Sequence, residues 1–285
     1  MGRVKKDCPV PGCTAKSLVR LPNHLSQVHK LDAKTWIETG QVKSTTAKSA
    51  LSWSPDAVID PSKPWWETQS LAPFEPCSSI CISGPTGSGK TQWTFEFLKH
   101  LNGMYVKDPP KKVLYCYGVY QDLYDVMERT IHNLTMHQGL PSESTIQEFS
   151  DEQYGLIILD DLMHSVLCNK EMELLFTQGC HHRRLGVIFI TQNLYGQGKC
   201  ARTIALNTWY MVLFKNVRDA MQISTLGRQL FPGRSGILTE AYKDAVKIPY
   251  GYLVLDMSPR ANDKMRLRTR VFPGEDPIVY VPKVE

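Results

Sequence analysis

The sequence predicts an α/β fold: a parallel sheet covered by helices and closed by an antiparallel hairpin, with a small separate module ahead of it. Three observations carry that expectation. From Cys77 onward, short apolar runs alternate with amphipathic stretches, the pattern of parallel strands linked by helical crossovers. A glycine-rich loop, Gly84 to Thr91, separates the first apolar run from the first amphipathic stretch. The first 50 residues differ in character, with nine Lys/Arg against three acids, a surplus of six that leaves the rest of the chain at −1 of its +5 net charge. A length of 285 residues with 42% hydrophobic and 21% charged content suits one α/β domain of roughly 200 residues plus an appendage.

Residues 1–38 read as a zinc-finger module. Cys8 and Cys13 flank four residues of a Pro/Gly turn, and His24 and His29 flank four residues of helical periodicity. That is a zinc-ligand arrangement, resembling the finger of DNA-binding regulators. So short a segment cannot bury a core unaided; bound Zn²⁺ would supply the folding energy, with Leu18, Leu21, Leu25 and Val28 packed beneath it. A disordered tail with chance cysteines is the alternative. The other six cysteines are scattered through core-like segments, which favours a reducing compartment and one metal site over disulfides. The basic surplus suits a polyanion such as nucleic acid, a solvated tail or a nuclear address. Residues 39–76 lose periodicity and read as a linker whose Trp53, Trp65 and Trp66 either dock on the next domain or mark a contact site on a tether. There is no apolar run of 18 residues and no apolar leader after the basic N-terminus, so an intracellular location without membrane insertion is expected.

The domain of residues 77–285 divides into strands at Ser79 to Ser83, Val113 to Tyr117, Leu156 to Leu159, Val187 to Thr191 and Trp209 to Phe214. Gly251 to Asp256 and Arg266 to Phe272 form the closing antiparallel pair. Pro109 and Pro110 punctuate the first crossover, and Phe231, Pro232 and Gly233 end a late helix. In the last strand Arg266, Arg268 and Arg270 alternate with Leu267, Thr269 and Val271 and so share a face. That strip would either line a DNA pore or protect a sheet edge.

Gly84-Pro85-Thr86-Gly87-Ser88-Gly89-Lys90-Thr91 is a complete phosphate-binding loop in its required context, after an apolar strand and before a helix. Its backbone N–H groups would cradle the phosphates of ATP, Lys90 would reach the β- and γ-phosphates, and the Thr91 hydroxyl would bind Mg²⁺. Leu156 to Asp161 is a buried strand ending in two carboxylates, with Asp160 the magnesium-side residue and Asp161 the general base, or else a helix cap. Val187 to Asn193 ends in Gln192 and Asn193, which would orient the attacking water or simply form a turn. Together these predict a P-loop NTPase of the RecA-like, additional-strand type, in which the strand ending at Gln192 lies between the other two.

The combination of GPTGSGKT, LIILDD and the run Gly179 to Gly186 leading into FITQN resembles the packaging ATPases of the Maverick/Polinton and adintovirus group, within the FtsK/HerA class of DNA-pumping motors. Gly139-Leu140-Pro141, Arg202 with Asn207, and Phe214 to Asp219 followed by Gln229 and Pro232 add to the likeness, which covers roughly residues 74 to 273. The resemblance implies a homo-oligomeric ring that threads double-stranded DNA into a capsid, in the host nucleus or at the site of virion assembly, with capsid proteins as further partners. It also implies an arginine supplied by the neighbouring subunit to the γ-phosphate. Arg183 is the first candidate, with Arg202 and Arg218 as alternatives. His181 and His182 fit the same pattern and are also explained as a helix C-terminus.

Two other functions compete with a DNA-packaging ATPase. One is a helicase or repair-type ATPase on the same core, although no single-strand stacking module is recognisable. The other is a zinc-finger DNA-binding regulator that uses nucleotide as a switch, against which stand an intact Lys90, Thr91, Asp160 and Asp161 and the three base pairs or so that one finger reads.

Overall fold

In the computed structural model the described residues are 74–105, 108–150, 154–162, 166, 172, 174–176, 183–194, 199–218 and 220–281. The expected zinc module, with Cys8, Cys13, His24 and His29, and the three linker tryptophans lie outside them, as do His181 and His182.

The strands are β1 (Ser79–Ser83), β2 (Lys112–Tyr117), β3 (Leu134–Gln138), β4 (Gly155–Asp160), β5 (Leu185–Thr191), β6 (Tyr210–Phe214), β7 (Tyr252–Asp256), β8 (Leu267–Thr269) and β9 (Ile278–Tyr280). They form one sheet in the order β3-β2-β4-β5-β1-β6-β7-β8-β9. From β3 through β6 every pairing is parallel; β7, β8 and β9 add on antiparallel. The helices include α1 (Lys90–Lys99), α2 (Leu101–Met104), α3 (Asp122–Thr130), α4 (Glu143–Ser150), α5 (Lys199–Asn207), α6 (Ala220–Leu230) and α7 (Gly236–Ala245). Among the described residues no helix is long and apolar enough to cross a membrane.

Strands buried on both faces are mostly apolar, which explains the continuous runs LIIL in β4 and YMVLF in β6. Alternation sends Ile80 and Ile82 of β1 to one face, where they meet Trp93 and Phe97 of α1 and Tyr124 and Met127 of α3. Cys81 points to the other face, into a cluster with Ile146 of α4, Leu226 of α6 and Leu238 of α7. The result is a three-layer helix–sheet–helix sandwich.

The packing begins before Cys77. Phe74 is fully buried, with its ring 4.9 Å from Tyr210 and 5.4 Å from Phe97, and Glu75 accepts a place beside it by donating its N–H to the Tyr210 hydroxyl at 3.1 Å. Phe74 and Glu75, just before the strands expected from Cys77 onward, therefore pack against the sandwich.

Two strands were not expected. In β3, LTMHQ is an edge strand exposed along much of its length, so it carries Thr, His and Gln where an apolar run would signal a strand. In β9 there are only three residues. The second of these changes the meaning of the arginine strip. With β9 paired outside it, β8 is an interior strand, so edge protection does not apply. Nor do the three arginines form an exposed strip. Arg268 is 7% exposed and donates from Nη2 to Asp256 Oδ2 at 2.9 Å, while Arg266 binds Asp263 at 2.8 Å and the Asp256 carbonyl at 3.1 Å. Arg270 sits at φ 57°, past the end of β8, where the strand geometry that would align it with the others has stopped.

Candidate functional site

The loop from Gly84 to Thr91 leaves the end of β1 and enters α1, and its shape depends on glycine at three points. Gly87 (φ 77°) and Gly89 (φ 100°) occupy the left-handed region. Gly84 is pressed so close that a Cβ there would lie 2.6 Å from Phe214 Cβ and 2.7 Å from Ser88 Oγ. The Gly84 N–H donates to the Thr191 carbonyl at 3.2 Å, which ties the loop to the end of β5. At the head of α1, whose first turn holds no acidic residue, Lys90 folds back over the loop and donates to the Gly84 and Pro85 carbonyls at 2.7 and 3.0 Å. Partial burial lowers the Lys90 ammonium below the ordinary lysine value, and the Asp160 and Asp161 carboxylates oppose that shift.

Asp160, the last residue of β4, reaches the loop because β5 alone separates β4 from β1. The Thr91 hydroxyl donates to Asp160 Oδ2 at 3.3 Å. Two tyrosines donate to the same oxygen, Tyr115 of β2 at 2.6 Å and Tyr124 of α3 at 3.2 Å. Sequence reasoning missed both. A signal existed for Tyr115, since a phenol inside an otherwise apolar buried strand must find an acceptor, but naming that acceptor requires knowing that β2 lies against β4. Burial pushes both phenols well above their usual range, so they remain protonated donors.

Burial also raises the Asp160 carboxyl above the usual carboxylate value, against the lowering effect of the Tyr115, Tyr124 and Thr91 hydroxyls and of Lys90. The folded state therefore holds this proton more tightly than the unfolded chain does. It follows that the ionised group weighs against folding at neutral pH, and its contribution grows more favourable as pH falls through the folded pKa toward the ordinary value. Asp160→Asn keeps an acceptor for the tyrosines without a buried charge. It is expected to leave the fold as stable or more stable at pH 7, by roughly 0.5–2 kcal/mol, the common range for a stabilising substitution. Thermal melts at pH 5 and pH 7 check this; a lower melting temperature at pH 7 would show that the charge itself holds the site together.

Asp161 turns out of the strand at φ 54° and is exposed, and Gln192 Nε2 lies 3.4 Å from its Oδ1, a long contact. The close backbone here needs Gly118, whose N–H donates to the Asp160 carbonyl at 3.0 Å and whose absent Cβ would otherwise sit 2.6 Å from the Asp161 carbonyl oxygen. Asn193 is exposed and turned through its contacts with the Thr191 hydroxyl. The following N–H, of Leu194, is taken by Gln222 of α6 at 3.1 Å. So Gly84 to Thr91, Asp160, Asp161 and Gln192 gather at the C-terminal ends of β1, β4 and β5.

Arg183 does not. It precedes β5, whose seven residues run the full depth of the sheet, roughly 20 Å, to reach Thr191. There Arg183 pairs with Glu143 of α4 at 2.5 Å, with both side chains substantially exposed. Arg218 is exposed beside Asn216, which accepts its N–H at 3.1 Å, and the side chain of Arg202 lies outside the described residues. No family model matches this chain, and no curated protein is significantly similar to it.

Proposed function

We propose that this chain is an ATP-hydrolysing motor that moves double-stranded DNA, and that its task is packaging a genome into a capsid. The observation that carries the nucleotide reading is the meeting of a glycine-formed loop, the Lys90 ammonium, the Thr91 hydroxyl and the Asp160 carboxylate at the ends of the parallel strands β1 and β4, on either side of β5. A triphosphate needs inward-pointing N–H groups at a helix N-terminus and a mobile cation. Gly87 and Gly89 allow the first, and Lys90, bonded to the Gly84 and Pro85 carbonyls, can exchange those for phosphate oxygens. A hydroxyl and a carboxylate oxygen within 3.3 Å are the hard oxygen donors that magnesium takes. Thr91 and Asp160 would hold Mg²⁺, which would supply charge neutralisation at the phosphates.

On this reading the residues divide the work. Lys90 balances charge on the γ-phosphate, Asp161 accepts the proton of the attacking water, and Gln192, in contact with Asp161, orients that water. Arg183 serves a neighbouring subunit, because it is too far from its own loop. Its exposed ion pair with Glu143 is worth about 0–1 kcal/mol and so is easily exchanged for a phosphate on assembly. The DNA and capsid partners rest on the family resemblance and on the basic N-terminal segment. Zinc at Cys8, Cys13, His24 and His29 belongs to the same proposal, and one equivalent of metal per purified chain is its test.

A shared active site makes turnover depend on assembly. The ATPase rate per subunit is expected to rise with protein concentration and to rise further with long duplex DNA. A rate indifferent to both would leave a monomeric nucleotide switch and remove the motor.

A further inference from the structure

The nucleotide loop has two flanks, and the site described above occupies one of them. Asp160 reaches it across β5; on the other side β1 is followed by β6 and then β7. Because β7 is antiparallel, its first residue, Tyr252, pairs with Phe214 at the end of β6, and the turn before β7 emerges at the same end of the strands as the loop. That turn carries Tyr250.

Tyr250 is 73% exposed, an unusual position for so large an aromatic side chain. It also adopts φ 56°, the left-handed region that bulky side chains avoid. Yet its ring is not free in solvent on all sides. Tyr250 Cδ1 lies 3.1 Å from the point where a side chain on Gly89 would begin, and Phe214 Cε1 lies 3.6 Å from that point. Behind Phe214 come Tyr252, with ring centroids 5.9 Å apart, and Trp93, 5.8 Å from Tyr252. The loop's second flank is thus an aromatic wall whose outermost member is strained, exposed and in contact with the glycine that precedes Lys90.

A nucleoside triphosphate on this loop would have its γ-phosphate toward Asp160, Asp161 and Gln192, so the nucleoside end must leave on the opposite flank. We propose that Tyr250 is the platform on which the nucleobase stacks. This rests on the nucleotide reading of the Gly84–Thr91 loop and adds to it the position of the base. A stacked ring recognises any base through its π face. The site would therefore accept nucleoside triphosphates broadly.

The test compares Mg²⁺-ATP with inorganic tripolyphosphate, which has the phosphates and no base, by calorimetric titration of the full chain and its variants. Tyr250→Gly suits the backbone, since glycine adopts positive φ freely, so the variant should melt no lower than the parent. It is expected to bind ATP about 5- to 100-fold more weakly and tripolyphosphate within about twofold of the parent, while Tyr250→Phe binds both normally. Unchanged ATP affinity in Tyr250→Gly overturns the proposal and leaves the phosphate site standing. Equal weakening of both ligands also overturns it, by making Tyr250 a support of the loop. A parent chain that binds neither ligand removes the nucleotide reading, and the platform with it.

Discussion

Lys90→Ala is expected to lower ATP turnover by at least about 10²–10³-fold, the usual loss when one preorganised electrostatic partner of a developing charge is removed. The same variant should fold normally. The Lys90 ammonium makes its hydrogen bonds among the described residues to the Gly84 and Pro85 carbonyls of its own loop, and its burial costs it proton affinity, so little of the fold depends on it. Phosphate release measured with and without duplex DNA, beside a thermal melt, separates the two effects. Turnover that survives in Lys90→Ala and is still stimulated by duplex would sink the assignment of the site. A melt that collapses would instead mean that the lysine braces the loop.

A second large effect is expected far from that loop, in Arg268→Ala. Arg268 and Asp256 are both nearly inaccessible, and they face each other from β8 and β7 at 2.9 Å. Asp256 Oδ1 is further held by the Ser258 N–H at 3.0 Å and the Ser258 hydroxyl at 2.7 Å. Removing the guanidinium strands a buried carboxylate, at a cost of about 3–5 kcal/mol. For a domain of this size each kcal/mol lowers the melting temperature by about 2–4 °C, so a fall of roughly 10 °C is expected. The exposed pair of Arg129 with Asp125, 3.8 Å apart on α3, provides the contrast, and Arg129→Ala should cost under about 1 kcal/mol. Should both variants melt alike, the β7–β8 pair is not what secures the antiparallel end of the sheet. A pore-lining role for Arg268 would require the opposite of what its burial shows, an arginine free to meet phosphate.

The contrast between these two residues marks how far local pattern reaches. The turn that carries Lys90 is legible from eight consecutive residues, because glycines at set spacings mark a tight loop before a helix, and the strand runs around it are apolar enough to recognise individually. The bounds of β1 agree with the sequence reading residue for residue, and β2, β4, β5, β6 and β7 agree to within two residues at each end. β3 and β9 escaped because a half-exposed edge strand and a three-residue strand carry no run of apolar residues to detect. Arg268 was misread for a related reason. Strand alternation sets side-chain faces within β8, but whether β8 is an edge depends on β9 pairing beside it, and whether Arg268 meets solvent depends on what packs over its face, where Asp256 takes it.

What the sequence determined by itself is the class of fold, the strands that line its interior, and the place of the glycine-rich loop, Asp160, Asp161 and Gln192 at strand ends. Each follows from periodicity or turn chemistry over fewer than a dozen residues. What only the tertiary structure decided is the company those residues keep: Tyr115 and Tyr124 on the Asp160 oxygen, Arg268 on Asp256, and Tyr250 against Gly89 from a turn that follows it by 161 positions. Those contacts come from strand order and from the reversal of β7. A polar group in the interior is satisfied by whichever neighbour the sheet places beside it, however distant in the chain.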